Sequence, residues 1–249
     1  MQDGVGGTTE ISSQPRGGFG LAGAWAFANI DACMSEHEDA EEDILTTDSP
    51  ELVDKGRAIE FMPADYFARQ LLTDIFPKPG PFEIDLGSGE GGFILAMAKR
   101  HPDRNFLGVE RLLGRVRKVC RAIARAGLDN ARIVRIETAY ALRYLLPLGS
   151  VSVAHVGFPD PWPKRYHQRR RLVQDGFMEV LHGTLADGGE LRVKTDDEPY
   201  FRSMERVFER AKGWQRVDWE EEPDYPITDF ERRFTAQGLP IYRARLLKV

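Results

Sequence analysis

The sequence predicts an α/β fold, a doubly wound and mostly parallel sheet with an antiparallel edge near the C-terminus. From residue 81 onward, short apolar runs alternate with helical patterns, and this order is typical of a parallel sheet with helices on both faces. The first of these runs leads into a glycine-rich turn, as the first strand does in many such sheets. Two more strand-like runs follow the last helical pattern with no convincing helix between them, which favours an antiparallel pair at the edge.

Each strand is predicted from a run rich in apolar and β-branched residues. The parallel series is expected at residues 82–86, 106–110, 131–136, 150–158 and 190–195, and the edge pair at 214–219 and 241–249. Ahead of the series, mixed apolar spacing from Leu52 to Phe76 predicts a helical lead-in onto the core.

The first 55 residues differ in composition from the rest and are predicted to be disordered. Residues 1–24 contain seven glycines and residues 35–43 are mostly acidic, so neither part can bury enough apolar surface to offset its ordering entropy. We therefore expect the folded domain to span residues 56–249. Met34 is a candidate for the true start, because the segment before it resembles nothing structured.

The formal net charge of −5 hides an asymmetry between these two parts. Residues 1–60 hold three basic and thirteen acidic side chains, whereas the remainder holds 31 basic and 26 acidic ones. Nine Lys or Arg lie between Lys99 and Arg125, against two acids. Such a run alone usually marks a solvated helix face, but together with a second basic cluster at residues 164–171 it favours a phosphate-binding surface.

Cysteine usage and hydropathy indicate the compartment. Cys33 and Cys120 have neither metal-ligand spacing nor a disulfide framework, which favours a reducing compartment and predicts no metal site. No apolar run reaches the ~18 residues that a membrane span requires. We expect a cytoplasmic protein that does not bind membranes.

The glycine turn, DLGSGEGG, predicts a cofactor site. Gly87 and Gly89 let the backbone approach a ligand closely, and Glu110, at the end of the second strand, stands where an acid accepts hydrogen bonds from a ribose. The spacing satisfies both the GxGxxG of dinucleotide binders and the GxGxG of S-adenosylmethionine binders. Glu83 and Asp85 favour S-adenosylmethionine, because carboxylates suit an ammonium and a sulfonium but repel a pyrophosphate.

Glu137, at the end of the third strand, has two readings. It could accept a hydrogen bond from an adenine amino group, or it could be an ordinary exposed acid that starts the next helix.

The segment FPDPWPKRYHQRRR at residues 158–171 predicts a site that acts on a polyanion. Three prolines stiffen the loop around Asp160 and Trp162. Trp162 could stack on a base, although packing beneath the loop is the more common arrangement. The predicted phosphate-binding side chains are Lys164, Arg165, Arg169, Arg170 and Arg171.

Two acidic segments also have structural readings. Thr228-Asp229-Phe230-Glu231 matches a helix capping box, and Asp196 or Asp197 is suited to cap the helix that starts near Pro199.

His155, within an apolar strand, is expected to be a core histidine.

Five motifs together resemble the bacterial tRNA (guanine-N7)-methyltransferase family. They are DLGSGEGG, GVE, FPDPWPK with HQRRRLVQ, KTDDEPYF and TDFERR, and the resemblance covers about Phe82 to the C-terminus. PDPW with its basic run is highly specific, whereas the glycine motif is not. The resemblance implies a Rossmann-like class I methyltransferase that uses S-adenosylmethionine and modifies a guanine at position 46 in the variable loop of tRNA.

The resemblance also assigns roles to individual residues. It implies that Glu83, Glu110, Glu137 and Asp160 contact S-adenosylmethionine or the reacting base. It further implies that Lys164, Asp196, Thr228, Asp229, Phe230 and Glu231 line the substrate side. The chain departs from the family at Glu137, where Asp is usual, at Asp229, where Lys is usual, and in its acidic N-terminal segment.

The implied chemistry needs no general base, because guanine N7 carries a free lone pair. Asp160 could stabilise the positive charge that develops on the base, or accept hydrogen bonds from the guanine N1–H and amino group. Two other functions remain open: a nicotinamide-dependent oxidoreductase with the same glycine turn, and a noncatalytic RNA-binding module. We expect tRNA as the partner and either a monomer or a homodimer.

Overall fold

The apolar runs of the sequence form a seven-stranded sheet in the computed structural model, which describes residues 48–220 and 225–249. The strand order is β3-β2-β1-β4-β5-β7-β6, with β7 antiparallel to both of its neighbours and the other strand pairs parallel. The strands are β1 (Phe82–Leu86), β2 (Asn105–Glu110), β3 (Ala131–Arg135), β4 (Val151–Gly157), β5 (Leu185–Thr195), β6 (Trp214–Val217) and β7 (Tyr242–Lys248). The predicted fold class is confirmed.

Helices connect the strands. They are α1 (Pro50–Ile59), α2 (Leu72–Ile75), α3 (Gly92–Arg100), α4 (Leu113–Arg125), α5 (Thr138–Tyr140), α6 (Asp175–Thr184), α7 (Glu198–Arg210) and α8 (Asp229–Ala236). A π-helical turn (Ala141–Leu145) continues α5, and a 3₁₀ helix (Arg165–Arg170) follows β4. None of the helices in the described residues is long and apolar enough to cross a membrane.

The first helix overlaps the segment predicted to be disordered. Helix α1 begins at Pro50, with the Ser49 hydroxyl accepting a hydrogen bond from the Leu52 amide, so the boundary predicted at residue 55 falls inside a helix. Met34 and Cys33 lie outside the described residues. The helical lead-in predicted for residues 52–76 is only partly helical, because residues 60–71 lie between α1 and α2. Within this stretch, Glu60 forms an isolated parallel bridge with Ile133 of β3.

The sheet buries apolar side chains on both faces, as the doubly wound pattern requires. In β2, Leu107 and Val109 belong to one core cluster, while Phe106 joins Val116 and Ile123 of α4 in the other. Alternate residues of a strand point to opposite faces, so a strand covered by helices on both sides is apolar throughout.

The edge pair differs from the sequence prediction in one respect. Helix α8 does separate β6 from β7, although the two strands pair antiparallel as predicted. Strand β7 lies between β5 and β6, with residues 242–247 paired to β5 and residues 245–248 paired to β6.

Candidate functional site

The glycine turn after β1 opens onto a cavity of about 230 Å³ at the carboxyl end of the parallel strands. Gly87, Gly89 and Gly91 all have positive φ values, of 87°, 53° and 76°. A Cβ added at Gly87 would meet no atom within 4 Å, so the backbone there faces open space. The cavity is lined by Asp85, residues 87–93, residues 155–158, Lys194, Tyr225, Thr228, Phe230 and Arg233.

Asp85 brings a buried carboxylate to the wall of this cavity. It is 7% exposed, and its Oδ2 atom has no hydrogen-bond partner among the described residues. Burial raises the pKa of Asp85 to about 7, and the negative charge of Glu110 adds to the effect. A lone buried carboxylate is costly, so this position is suited to a cationic ligand group.

Glu83 is not among the residues that line the cavity. It lies two residues before Asp85 on the same face of β1, which places it roughly 7 Å further from the turn. Its carboxylate accepts a hydrogen bond from Arg104 at 2.9 Å and lies 2.8 Å from Nε2 of His155. Burial opposes ionisation, but the bonds from His155 and Arg104 hold the pKa of Glu83 below its usual range.

His155 is buried, as predicted, yet it also reaches the cavity. Its Nδ1 lies 3.0 Å from the hydroxyl of Tyr225. A neutral imidazole that donates from Nε2 to Glu83 can accept the Tyr225 proton at Nδ1, which satisfies all three groups. The ring of Phe93 packs against both His155 and Tyr225.

Glu110 lies directly behind the glycine turn. One carboxylate oxygen accepts a hydrogen bond from the Gly89 amide at 3.0 Å, and the other accepts from the amides of Arg111 and Leu112. A carboxylate has about four acceptor positions, and these amides occupy three of them. The Arg115 guanidinium lies 3.9 Å from one of the carboxylate oxygens, and Glu110 is not among the residues that line the cavity. Glu110 therefore stabilises the turn that faces the cavity.

Glu137 occupies the position expected of a helix cap. It is exposed, and its side chain accepts a hydrogen bond from the Tyr140 amide at 2.8 Å. Glu137 is not among the residues that line the cavity. Of the two interpretations of Glu137, this geometry agrees with an exposed acid that starts the next helix.

The PDPW loop, residues 158–163, begins at the cavity. Phe158 lines it, and its ring stacks on Phe230 of α8 at 6.2 Å between centroids. Asp160 is exposed two residues further along. Phe158 and Trp162 have φ values of 51° and 42°, a region that non-glycine residues rarely occupy and that is enriched at functional sites.

The basic run after the loop divides into exposed and buried members. Lys164, Arg165, Arg169 and Arg170 are exposed, and the last of these lies over the Trp162 ring at 5.2 Å. Arg171 is only 8% exposed, and its Nε donates to the Pro161 carbonyl at 2.7 Å. The prediction that Arg171 binds phosphate is therefore at odds with its burial.

At the end of β5, the two neighbouring acids have different environments. Asp197 caps α7 by accepting a hydrogen bond from the Tyr200 amide. Asp196 is half-buried, and within the described residues its side chain has no hydrogen bond or ion pair. Helix capping therefore leaves Asp196 available to a ligand.

The TDFE segment is only half of a capping box. Thr228 lines the cavity and caps α8 through the Glu231 amide. The Glu231 carboxylate is buried and binds Lys194 at 2.8 Å and Arg243 at 2.8 Å, so neither the reciprocal cap nor direct substrate contact agrees with its position. Phe230 is 45% exposed at the cavity. The side chain of Asp229 lies outside the described part of the structure.

Within the described residues, five of the nine cations in the basic run at residues 99–125 pair with acids. On α4, Arg115 and Lys118 pair with Glu90, while Arg121 and Arg125 pair with Asp48. This face is closer to the salt-bridged surface that such a run usually marks than to a phosphate site.

Sequence reasoning assigned no role to two cavity residues. The first is Lys194, whose ammonium lies 4.6 Å from the centroid of the second, Tyr225. Lys194 is the first residue of the KTDDEPYF motif, whereas no motif marks Tyr225. By contrast, Asp85 could have been preferred to Glu83, because the residue nearer the turn on the same strand face must lie nearer the ligand. Within residues 48–220 and 225–249, no group of three or more His, Cys, Asp or Glu could hold a metal.

Comparisons with known proteins identify the family that this chain resembles in sequence. A family model described as "Putative methyltransferase" matches residues 79–244. The protein named tRNA (guanine-N(7)-)-methyltransferase of Leifsonia xyli subsp. xyli is 39% identical over 196 residues, which is 75% of this chain and 86% of that protein. The protein of the same name from Syntrophotalea carbinolica is 33% identical over 184 residues, covering 72% of this chain and 77% of its own length.

Solved structures resemble the fold at lower sequence identity. The 16S rRNA methyltransferase KamB has a TM-score of 0.54 and 17% identity, and covers 76% of this chain and 98% of its own. A structure titled as an antibiotic-related methyltransferase has a TM-score of 0.51 and 14% identity, over 77% and 98% of the two chains. These likenesses concern the fold alone.

Proposed function

Because this chain belongs to the tRNA (guanine-N7)-methyltransferase family, we propose that it transfers a methyl group from S-adenosylmethionine to N7 of the guanine at position 46 in the variable loop of tRNA. The observation that carries the proposal is that the glycine turn and the first residue of the PDPW loop line the same cavity. This arrangement brings a cofactor turn and a base-facing loop together. The site of action would be the cytoplasm, where tRNA is found.

The residues of the cavity fit S-adenosylmethionine. This cofactor supplies an electrophilic methyl group on a sulfonium and carries an ammonium on its amino-acid part. Asp85, one oxygen of which has no partner in the described part of the chain, would accept the ammonium, and the open space beside Gly87 would admit the cofactor close to the backbone. Glu110 would use its remaining acceptor capacity for the ribose hydroxyls.

The residues of this chain would orient the guanine base and exclude water from it. Guanine N7 is unprotonated, so no residue needs to remove a proton before transfer. Phe158 and Phe230, stacked at the cavity, provide apolar surface beside which a base can lie. Holding two reactants in line can supply about 7–11 kcal/mol of a barrier.

Asp160 is the proposed catalytic residue, with two roles that experiment can separate. If Asp160 accepts bonds from N1–H and the amino group, inosine at position 46, which lacks that amino group, raises KM. If it stabilises the developing positive charge, Asp160→Asn lowers kcat and leaves the KM for tRNA unchanged. Asp160→Ala with full activity would remove Asp160 from the mechanism.

The exposed basic side chains are proposed to hold the tRNA backbone. Lys164, Arg165, Arg169 and Arg170 project from the 3₁₀ helix and the residue before it. Phosphate contacts of this kind make affinity fall steeply with salt. Asp196, Thr228 and Phe230 are proposed to lie on the substrate side of the same site.

A methyl-transfer assay tests the whole proposal. Methyl-labelled S-adenosylmethionine is incubated with the full chain and an unmodified tRNA transcript, and the nucleosides are then separated. We expect labelled 7-methylguanosine, and none from a matched transcript with adenine at position 46. No 7-methylguanosine from either RNA would refute the activity, whereas equal labelling of both would refute only the position. Calorimetric binding of S-adenosylhomocysteine but not NADH excludes the oxidoreductase alternative.

A further inference from the structure

We propose that Arg171 is a positioning residue for methyl transfer, which holds the PDPW loop in place through the Pro161 carbonyl and does not bind RNA phosphate. This inference rests on the proposed role of Asp160, the residue that precedes Pro161. Arg171 is 8% exposed, whereas its neighbours Arg169 and Arg170 are exposed. A guanidinium buried to this degree presents little surface to a polyanion in solvent.

The contacts of Arg171 join the loop to the core of the domain. Its Nε donates a hydrogen bond of 2.7 Å to the Pro161 carbonyl, and its guanidinium carbon lies 4.6 Å from the centroid of the Tyr200 ring. Tyr200 is fully buried in α7, and its hydroxyl accepts a hydrogen bond from the Val173 amide at 3.0 Å. Arg171 therefore connects a surface loop to a side chain buried in the core.

The loop needs such a contact because its own backbone offers few. Pro159, Pro161 and Pro163 have no amide hydrogen to donate. Across residues 48–220 and 225–249, the bond from Arg171 is the one hydrogen bond made to residues 159–163. The loop is otherwise held at its start, where the Phe158 amide donates to the Lys194 carbonyl.

The strained backbone on both sides of Asp160 points to the same conclusion. Phe158 and Trp162 adopt φ values of 51° and 42°, and each precedes a proline, which restricts it further. Strained conformations persist only where the surrounding contacts over-determine them. The bond to Pro161 lies between these two residues, so losing it would let the segment that carries Asp160 relax.

Arg171→Lys is the variant that separates positioning from phosphate binding. Lysine keeps the positive charge, but it lacks the planar guanidinium that stacks on Tyr200 and donates to Pro161. We expect kcat to fall at least tenfold, while the slope of log affinity for tRNA against log salt stays as in the wild type. In Arg169→Ala, which removes an exposed cation, we expect that slope to fall by about one.

Two further measurements complete the test. Arg202→Lys, at an exposed i,i+4 pair with Glu198, is the matched control and should leave kcat, slope and melting temperature unchanged. In an Asp160→Ala background, Arg171→Lys should cause no additional loss of kcat, because a positioning residue acts through the group that it positions.

The outcomes that overturn the proposal are distinct from those that refute the activity. An unchanged kcat in Arg171→Lys would refute the positioning role, and a salt slope lower by about one in a neutral Arg171→Gln variant would make Arg171 a phosphate ligand. The slope in Arg171→Gln also decides the matter if Arg171→Lys melts too low for kinetics. Because tRNA binding is measured without methyl transfer, this readout is valid even if the wild-type chain yields no 7-methylguanosine.

Discussion

We expect Asp85→Asn to have two effects. It should raise the free energy of unfolding above neutral pH, and it should remove cofactor binding. Asp85 is buried, its Oδ2 has no partner among the described residues, and burial raises its pKa to about 7 from 3.8. Between these two pH values the folded chain holds a proton that the unfolded chain has released. The free energy of unfolding therefore falls as the pH rises through this window and stays low above it.

The size of the effect follows from the pKa difference. At 1.36 kcal/mol per pKa unit, the shift from 3.8 to about 7 corresponds to about 4 kcal/mol of stability lost by pH 8. Asparagine avoids the buried charge but brings an amide that also lacks a partner, which offsets part of the gain. We expect Asp85→Asn to be more stable than the wild type by about 1–3 kcal/mol at pH 8 and nearly equal to it at pH 5.

Urea unfolding between pH 5 and pH 8 measures this difference directly, with Asp103→Asn as the matched control at an exposed aspartate. Calorimetry with S-adenosylhomocysteine on the same samples should show lost binding in Asp85→Asn alone. The reasoning is refuted if the wild type and Asp85→Asn have parallel stability curves over this range. It is also refuted if Asp85→Asn binds S-adenosylhomocysteine as tightly as the wild type.

Three other perturbations have defined outcomes. If the cofactor ammonium pairs with ionised Asp85, affinity for S-adenosylhomocysteine should rise about tenfold per pH unit up to pH ~7 and then level off. A calorimetric affinity that stays constant from pH 5 to 8 would contradict this pairing. Glu83→Gln should destabilise the fold by about 1.5–3 kcal/mol, because it removes a buried charge that accepts from Arg104 and contacts His155. Since the pKa of Glu83 is lowered, the wild type should lose stability as the pH falls below about 4.5. A urea midpoint of Glu83→Gln unchanged from the wild type at pH 7 would be inconsistent with this reasoning. Gly91→Ala should lower the free energy of unfolding by roughly 2–4 kcal/mol, because φ is 76° and the new Cβ would lie 2.5 Å from a Val119 methyl. Gly114→Ala, where nothing lies within 4 Å of the added Cβ, is its control. Equal melting temperatures for the two variants would disprove the clash.

Local patterns in the chain predicted most of the scaffold. Strand β1 is Phe82–Leu86, as its apolar run indicates, and the glycines after it adopt the positive φ values that only glycine tolerates well. The acid at the end of β2, Glu110, lies at the glycine turn. The sequence also indicated the antiparallel edge, although it did not reveal that β7 lies between β5 and β6, because strand order depends on contacts between distant segments.

The sequence by itself determined the fold class, the place of the glycine turn, and the family motifs that the comparisons support. The tertiary structure alone decided the environment of each member of two similar pairs. Asp85 lines the cavity while Glu83 binds His155. Asp197 caps a helix, while the side chain of Asp196 makes no hydrogen bond within the described residues. It also assigned Arg171 to the Pro161 carbonyl and not to solvent. The physical reason is that residue type and spacing specify which face of an element a side chain occupies, whereas burial and hydrogen-bond partners depend on what the neighbouring elements bring to that face.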